Sequence, residues 1–139
     1  MDTQIIDFLQ KQTTITICCI DEAQKPWCFS CFYAFNSKEG LLYFKSSDTS
    51  RHSGIIKKNP LLAGSVLPDK LNKLMVKGIQ LTGILLEADH EMSKDAAKMY
   101  YASHPLAIAM QGQIWTVQLN HIKMTDTTIG FAKKISWSR

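Results

Sequence analysis

LLYFKSSDTSRHSGIIKKNP, residues 41–60, passes from strand to helix through an unbroken polar run. Leu41 to Phe44 are bulky and β-prone. Ser46, Ser47, Asp48, Thr49 and Ser50 follow as consecutive short polar side chains. Ile55, Ile56, Lys57 and Lys58 then fit a short helix that Asn59-Pro60 stops, with Arg51 expected one turn inside it. A strand that runs through hydroxyl residues into a helix start leaves backbone N–H groups without intrahelical partners, and the helix dipole favours negative charge there.

Two readings of this segment stand side by side. Arg51 and Arg139 are the only arginines against fourteen lysines, and a planar guanidinium suits a phosphate better than an ammonium does. The segment is then an anion site. In the alternative, Asp48 or Ser50 is an ordinary N-cap and Arg51 lies in solvent, the commoner outcome for such residue types. Asp48 would repel an anion unless Arg51 or a lysine screens it.

Working outward, the 139 residues suit one domain, 1–139, large enough to bury a core. Hydrophobic content of 45% and charged content of 20% are those of a soluble globular protein. No apolar run reaches membrane-spanning length, and MDTQIIDFLQKQ lacks the basic flank and apolar core of a signal peptide, so a cytoplasmic location without membrane contact is expected. The net charge of +4 comes from scattered lysines. No basic run is interleaved with aromatics, and nucleic-acid binding is not expected.

Upstream, Thr3 to Gln12 places Ile5, Ile6 and Leu9, with Phe8 beside them, at helical spacing behind an Asp2 or Thr3 cap. Thr13 to Ile20 is dense in β-branched residues and reads as a strand, and Asp21 to Lys25 as a polar turn. Pro26 to Phe35 is a long strand with Trp27, Phe29, Cys31, Tyr33 and Phe35 on one face. Asn36 to Gly40 makes the next hairpin turn.

Of the four cysteines, Cys28 and Cys31 form a CxxC. In a strand, a separation of three puts the two sulfurs on opposite faces, unlike the helix-start geometry of thioredoxin-type pairs. If Asp21 to Lys25 turn the chain, Cys18 lies across from Cys28, close enough for a metal or a bridge. No histidine has ligand spacing, so no metal site is expected, and the cysteines read as small buried hydrophobes.

Downstream, Leu61 to Leu67 is a strand and Pro68 to Lys73 a loop. Leu74 to Glu87 reads as one long strand, in which Gly78 and Gly83 signal a bulge or bend. Ser93 to His104 is a capped helix that Pro105 ends, with a further helical turn over Leu106 to Met110. Gln113 to Asn120, Ile122 to Thr125 and Ile129 to Trp137 complete the chain as β, with a turn at Asp126 to Thr128. The expected fold is mainly β: a mostly antiparallel barrel of about six or seven strands with two or three short helices.

At this point PWCFSCFYAF (26–35), SRH (50–52), KGIQLTG (77–83) and IKMTDTTIGFAKKISW (122–137) carry a resemblance. They resemble the FMN-binding split barrels related to pyridoxamine 5′-phosphate oxidase, and most closely their uncharacterised bacterial YhbP-type branch. The resemblance covers nearly the whole chain. It implies a homodimer with two FMN molecules in clefts between the subunits.

By that resemblance Ser50, Arg51 and His52 bind the flavin phosphate, with Ser46 and Ser47 beside them. The isoalloxazine runs along the backbone of Phe29, Ser30, Cys31 and Phe32. Tyr33, Lys45, Tyr100 and Tyr101 are the polar side chains to look for near a flavin, packing or surface being the commoner role for each. Lys77 and Gly78 stand where the oxidase has an Arg-Gln pair that touches the flavin. His52 replaces a lysine of the oxidase and contributes less charge at pH 7. The oxidase's C-terminal Arg-x-His substrate pair has no counterpart in Ser136-Trp137-Ser138-Arg139, so pyridoxamine phosphate oxidation is not expected. The implied function is FMN binding, with an FMN-dependent oxidoreductase of another substrate as one form and a non-enzymatic flavin-, haem- or anion-binding dimer as the other.

Overall fold

The computed structural model of the protein describes residues 1–72, 74–127 and 133–139. Helix α1, Thr3–Lys11, opens the chain, and the Asp2 carboxylate caps it by accepting the Gln4 N–H at 2.8 Å. Its Ile5, Phe8 and Leu9 are buried, the stripe expected of an amphipathic helix. Strands β1, Thr14–Ile20, β2, Pro26–Asn36, and β3, Leu41–Ser46, form an antiparallel meander. Gly40 takes a positive φ of 63° in the turn before β3, a conformation that costs glycine little.

Helix α2, Arg51–Lys58, leads to β4, Leu61–Val66, and then β5, Lys77–Leu86. A 3-10 turn, Glu91–Ser93, precedes helix α3, Ala96–Ser103, and a second, Pro105–Ala109, follows it. The long strand β6, Gln113–Asp126, and β7, Lys133–Ser138, finish the chain. The sheet order is β3-β2-β1-β4-β5-β6-β7, and a further β3–β6 pairing closes the first six strands into a barrel, with β7 flanking β6. The expected class of fold is the observed one.

Inside the barrel lie Ile15, Ile17, Phe44, Val66, Ile79, Leu119 and Ile122, with α1 across one end. A second, smaller core forms outside, where Ala96 and Tyr100 of α3 cover Ala34, Leu41 and Tyr43. At Gly83, beside the bulge between Thr82 and Gly83, a Cβ would stand 2.6 Å from the Gln118 carbonyl oxygen. Glycine here lets two backbones approach where β5 bends to close the barrel.

Several boundaries differ from the sequence expectations. Arg51 is the first residue of α2, not one turn inside it, because Ser50 rather than an earlier residue is the cap. β5 begins at Lys77 instead of Leu74. The Asn72 side chain accepts the Leu74 N–H at 2.9 Å, a local turn that competes with the ladder. The helix expected from Ser93 starts at Ala96, since Ser93 belongs to the preceding 3-10 turn, where its hydroxyl donates to the Glu87 carbonyl. β6 merges two expected strands, because β5 pairs with it on both sides of its irregularity. Of the expected final strand and its turn, residues 128–132 lie outside the described residues.

Candidate functional site

Site geometry starts with the cap of α2. The Ser50 hydroxyl accepts the Ser53 N–H at 3.3 Å and donates to the Ser47 carbonyl at 3.0 Å. Fully buried Ser53 donates to the same carbonyl at 2.6 Å. The Ser47 hydroxyl meets that of Thr49 at 2.9 Å. The hydroxyl cluster therefore does act as a cap. It leaves the N–H groups of Arg51 and His52, the first two of the helix, without intrahelical partners.

Arg51 lies with its guanidinium over the Trp27 ring, 4.1 Å from the centroid. Among the described residues it enters no ion pair. Stacking engages the flat face of a guanidinium and leaves its in-plane N–H fork available to an oxyanion. Trp27 is 37% exposed, not part of a buried face, because it serves as this platform at the rim. Sequence reasoning assigned Trp27 no role; its position two residues before Phe29 was the available signal.

His52 stacks in parallel on Phe29, with centroids 3.7 Å apart, and its Nε2 bonds the Ser46 hydroxyl. Burial pushes the His52 pKa below its ordinary 6.5, so the ring is neutral at pH 7. Phe29 leans on Phe44, and Phe44 stacks on Trp115, whose indole N–H donates to the Ser46 carbonyl at 3.3 Å. Phe29, Ser46, Ser47, Ser50, Arg51 and His52 thus form one cluster where β2, β3 and α2 meet.

The neutrality of His52 has a measurable consequence. A histidine whose folded pKa lies below its unfolded pKa stabilises the fold above about 6.5 and loses that contribution as pH falls toward the folded value, because the unfolded chain takes up the proton first. We expect the urea midpoint to fall between pH 7.5 and 5, and His52→Gln to reduce that fall. An identical pH dependence in the variant would show that other groups carry it.

Ser30, Cys31, Phe32 and Lys45 line one groove of 350 Å³, together with Thr14, Tyr100, Ala107, Met110 and Gln111. Phe32 is 56% exposed there. Lys45 directs its ammonium to the Tyr101 hydroxyl at 3.0 Å and the Ala107 and Met110 carbonyls at 2.7 and 2.6 Å. Those three bonds engage every donor of the ammonium, so Lys45 holds the 105–109 turn against β3 and offers the groove its stem. Tyr33 is buried, with its hydroxyl donating to the Leu9 carbonyl at 2.6 Å. A wider groove of 520 Å³, lined in part by Ile56, Lys57, Leu86 and Trp115, contains none of the expected site residues.

Lys77 and Gly78 are not brought to this cluster within one chain. Ser46 pairs with Gln113 at the start of β6, and Lys77 pairs with Asp126 at its end. At roughly 3.3 Å per residue, that is about 40 Å of strand. Lys77 instead forms an ion pair with the buried Asp126 at 2.8 Å.

The cysteines also depart from expectation. Cys19 is buried, but Cys28 is exposed and Cys18 and Cys31 are partly exposed, so the account as small buried hydrophobes holds for Cys19 alone. The hairpin does set Cys18 directly opposite Cys28. Among the described residues, no group of three or more His, Cys, Asp or Glu side chains is arranged to hold a metal ion.

Among the described residues, a closed six-stranded antiparallel barrel with a flanking strand and three α-helices defines a protein of the split-barrel class. The chain is 36% identical over 132 residues to a UPF0306 protein of Photorhabdus laumondii, covering 95% of this chain and 92% of that one. It belongs to the UPF0306 family. No protein-family model matches it. In fold it is similar to a haem-binding protein from Mycobacterium smegmatis, with a TM-score of 0.77 and 12% identity. That match covers 94% of this chain and only 55% of that one. It is also similar to a FAD-binding protein from Mesorhizobium loti, with a TM-score of 0.70 and 13% identity, over 92% of this chain and 96% of that one. Among the described residues no helix is long and apolar enough to cross a membrane.

Proposed function

We propose that the protein binds FMN, its phosphate at the start of α2 and its ring along β2, with residues 1–139 serving as one cofactor-binding domain. The observation that carries this is the first turn of α2. There two N–H groups without intrahelical partners and the in-plane fork of Arg51 lie beside the Phe29–His52 stack. An anionic ester fits those donors, and the groove beside Phe32 offers largely apolar walls to a planar ring.

When bound, FMN supplies hydride or electron transfer to whatever substrate enters. The chain's own residues bind and orient. Arg51 neutralises phosphate charge, Ser50 and Ser53 hold the helix start in place, and Phe29 and Phe44 brace the site from the core. His52, neutral and stacked on Phe29, contributes shape and its bond with the Ser46 hydroxyl rather than charge. Lys77 and Gly78 reach a flavin at α2 only from a second subunit, so their part in the site rests on the homodimer. Arg139 supplies no oxidase-like substrate contact, since its guanidinium donates to the Glu39, Gly40 and Leu119 carbonyls at 2.6–3.0 Å. The reading is therefore an FMN-dependent oxidoreductase of the cytoplasm, other than a pyridoxamine phosphate oxidase, in the YhbP-type branch.

Titration of the flavin-free protein with FMN, followed by quenching of flavin fluorescence, tests binding. Saturable binding with one FMN per subunit of a dimer is the expected result, and a preparation that is colourless and fails to bind added FMN overturns it. Steady consumption of NADH or NADPH by the loaded protein is expected of the oxidoreductase. Binding without turnover would favour a non-enzymatic module.

The fold likeness to a haem-binding protein favours haem as the second reading. It has weaker support in this chain. The imidazoles of His52 and His104 both have Nε2 engaged, by the Ser46 hydroxyl and, at 2.7 Å, by the Tyr33 carbonyl. A Soret band that grows to one equivalent of added haem and is competed by FMN would shift the assignment.

A further inference from the structure

The β1–β2 hairpin holds a feature that flavin binding does not use. Asp21 donates its N–H to the Lys25 carbonyl at 3.0 Å, and Tyr33 donates to Thr13 at 3.1 Å. Hydrogen-bonded and non-hydrogen-bonded pairs alternate along an antiparallel ladder. Counting in from either end makes Ile15–Cys31, Ile17–Phe29 and Cys19–Trp27 the hydrogen-bonded pairs. Pro26, which has no N–H to give, faces Ile20 at a non-hydrogen-bonded position, in agreement with that count.

Cys18 and Cys28 therefore face each other across a non-hydrogen-bonded site. Opposed Cα atoms there are about 4.5 Å apart, within the span a disulfide bridges. Their sulfurs lie 2.7 Å apart, both thiols are free, and Cys28 is exposed to solvent. The other two cysteines differ. Cys19 is buried, with its thiol directed at the Trp27 carbonyl, and Cys31 faces the barrel side of β2. Burial raises the Cys31 thiol to about 12, so it stays protonated.

We propose that Cys18 and Cys28 are a redox-active dithiol that is oxidised by low-molecular-weight disulfides. The exposed Cys28 thiolate attacks one sulfur of the external disulfide, forms a mixed disulfide and releases one thiol. Cys18 gives its proton to water and attacks the Cys28 sulfur. The protein disulfide forms and the second external thiol leaves. Two electrons pass from the cysteine pair to the external disulfide, which departs as two thiols. Cys28 is the more exposed of the two and Cys18 sits partly buried against it, which makes Cys28 the entry point and Cys18 the resolving group. Because the strands are already in register, closure moves neither backbone. It clips the hairpin that carries Trp27, the platform under Arg51.

The proposal is independent of the flavin reading and is tested without FMN. The reduced full-length chain is equilibrated with oxidised glutathione, quenched with an alkylating agent and mapped by mass spectrometry. We expect loss of two of the four thiols, a linked Cys18–Cys28 peptide and no lasting glutathione adduct. Cys18→Ser is expected to stop at a glutathione adduct on Cys28, Cys28→Ser to remain unmodified, and Cys19→Ser to react as the wild type does. Four free thiols at the end of the wild-type reaction would overturn the proposal, as would a linkage through Cys19 or Cys31. A stable adduct on wild-type Cys28 would overturn it equally, by showing that Cys18 does not resolve.

Discussion

Arg51→Ala weakens FMN binding by about 30- to 150-fold, equivalent to roughly 2–3 kcal/mol for one charge-assisted phosphate contact. The side chain is exposed and forms no ion pair among the described residues, so folding changes little. What is lost is the fork held in place over Trp27. Arg51→Lys falls between the two, because an ammonium keeps the charge without the planar donor pair. Fluorescence titration of the three proteins side by side measures the effect. Equal affinity in all three would place the phosphate elsewhere and remove the central support for the flavin reading.

Phe44→Ala lowers stability by about 3–5 kcal/mol, the range for truncating a buried phenylalanine and leaving a cavity. Phe44 is fully buried between Phe29, at 5.7 Å between ring centroids, and Trp115, at 6.3 Å. Its loss removes the wall behind the Phe29–His52 stack, so cofactor affinity falls along with stability in a variant that still folds. Urea unfolding of the flavin-free protein gives the first effect. A loss below about 1 kcal/mol would mean that the surrounding rings collapse into the gap.

Particular elements show what local signals conveyed. The meander over β1, β2 and β3 was legible because β-branched and aromatic runs alternate with polar turns whose side chains close them. The Asp21 carboxylate, for example, accepts the Ala23 and Lys25 N–H groups at 2.9 and 2.8 Å. The α2 cap was legible because short hydroxyl residues satisfy a helix start through bonds only a few residues long. The start of β5 was not. Leu74 to Val76 read as a continuation of the apolar run, but the Asn72 turn, which takes the Leu74 N–H on its side chain and the Met75 N–H on its carbonyl, holds that backbone in another arrangement.

Residue types, their order and their spacing determined the mainly β character with its opening meander, the hairpin that opposes Cys18 to Cys28, and a hydroxyl-capped helix after β3, though not that Arg51 is its first residue. All of these rest on contacts between near neighbours. Tertiary structure alone decided that β3 closes onto β6, that Trp27 lies under Arg51, that Lys45 is tied to the 105–109 turn, and that Lys77 stands at the far end of β6. Each depends on segments distant in sequence meeting across the barrel. That meeting is set by strand closure and packing, which no local pattern of side chains encodes.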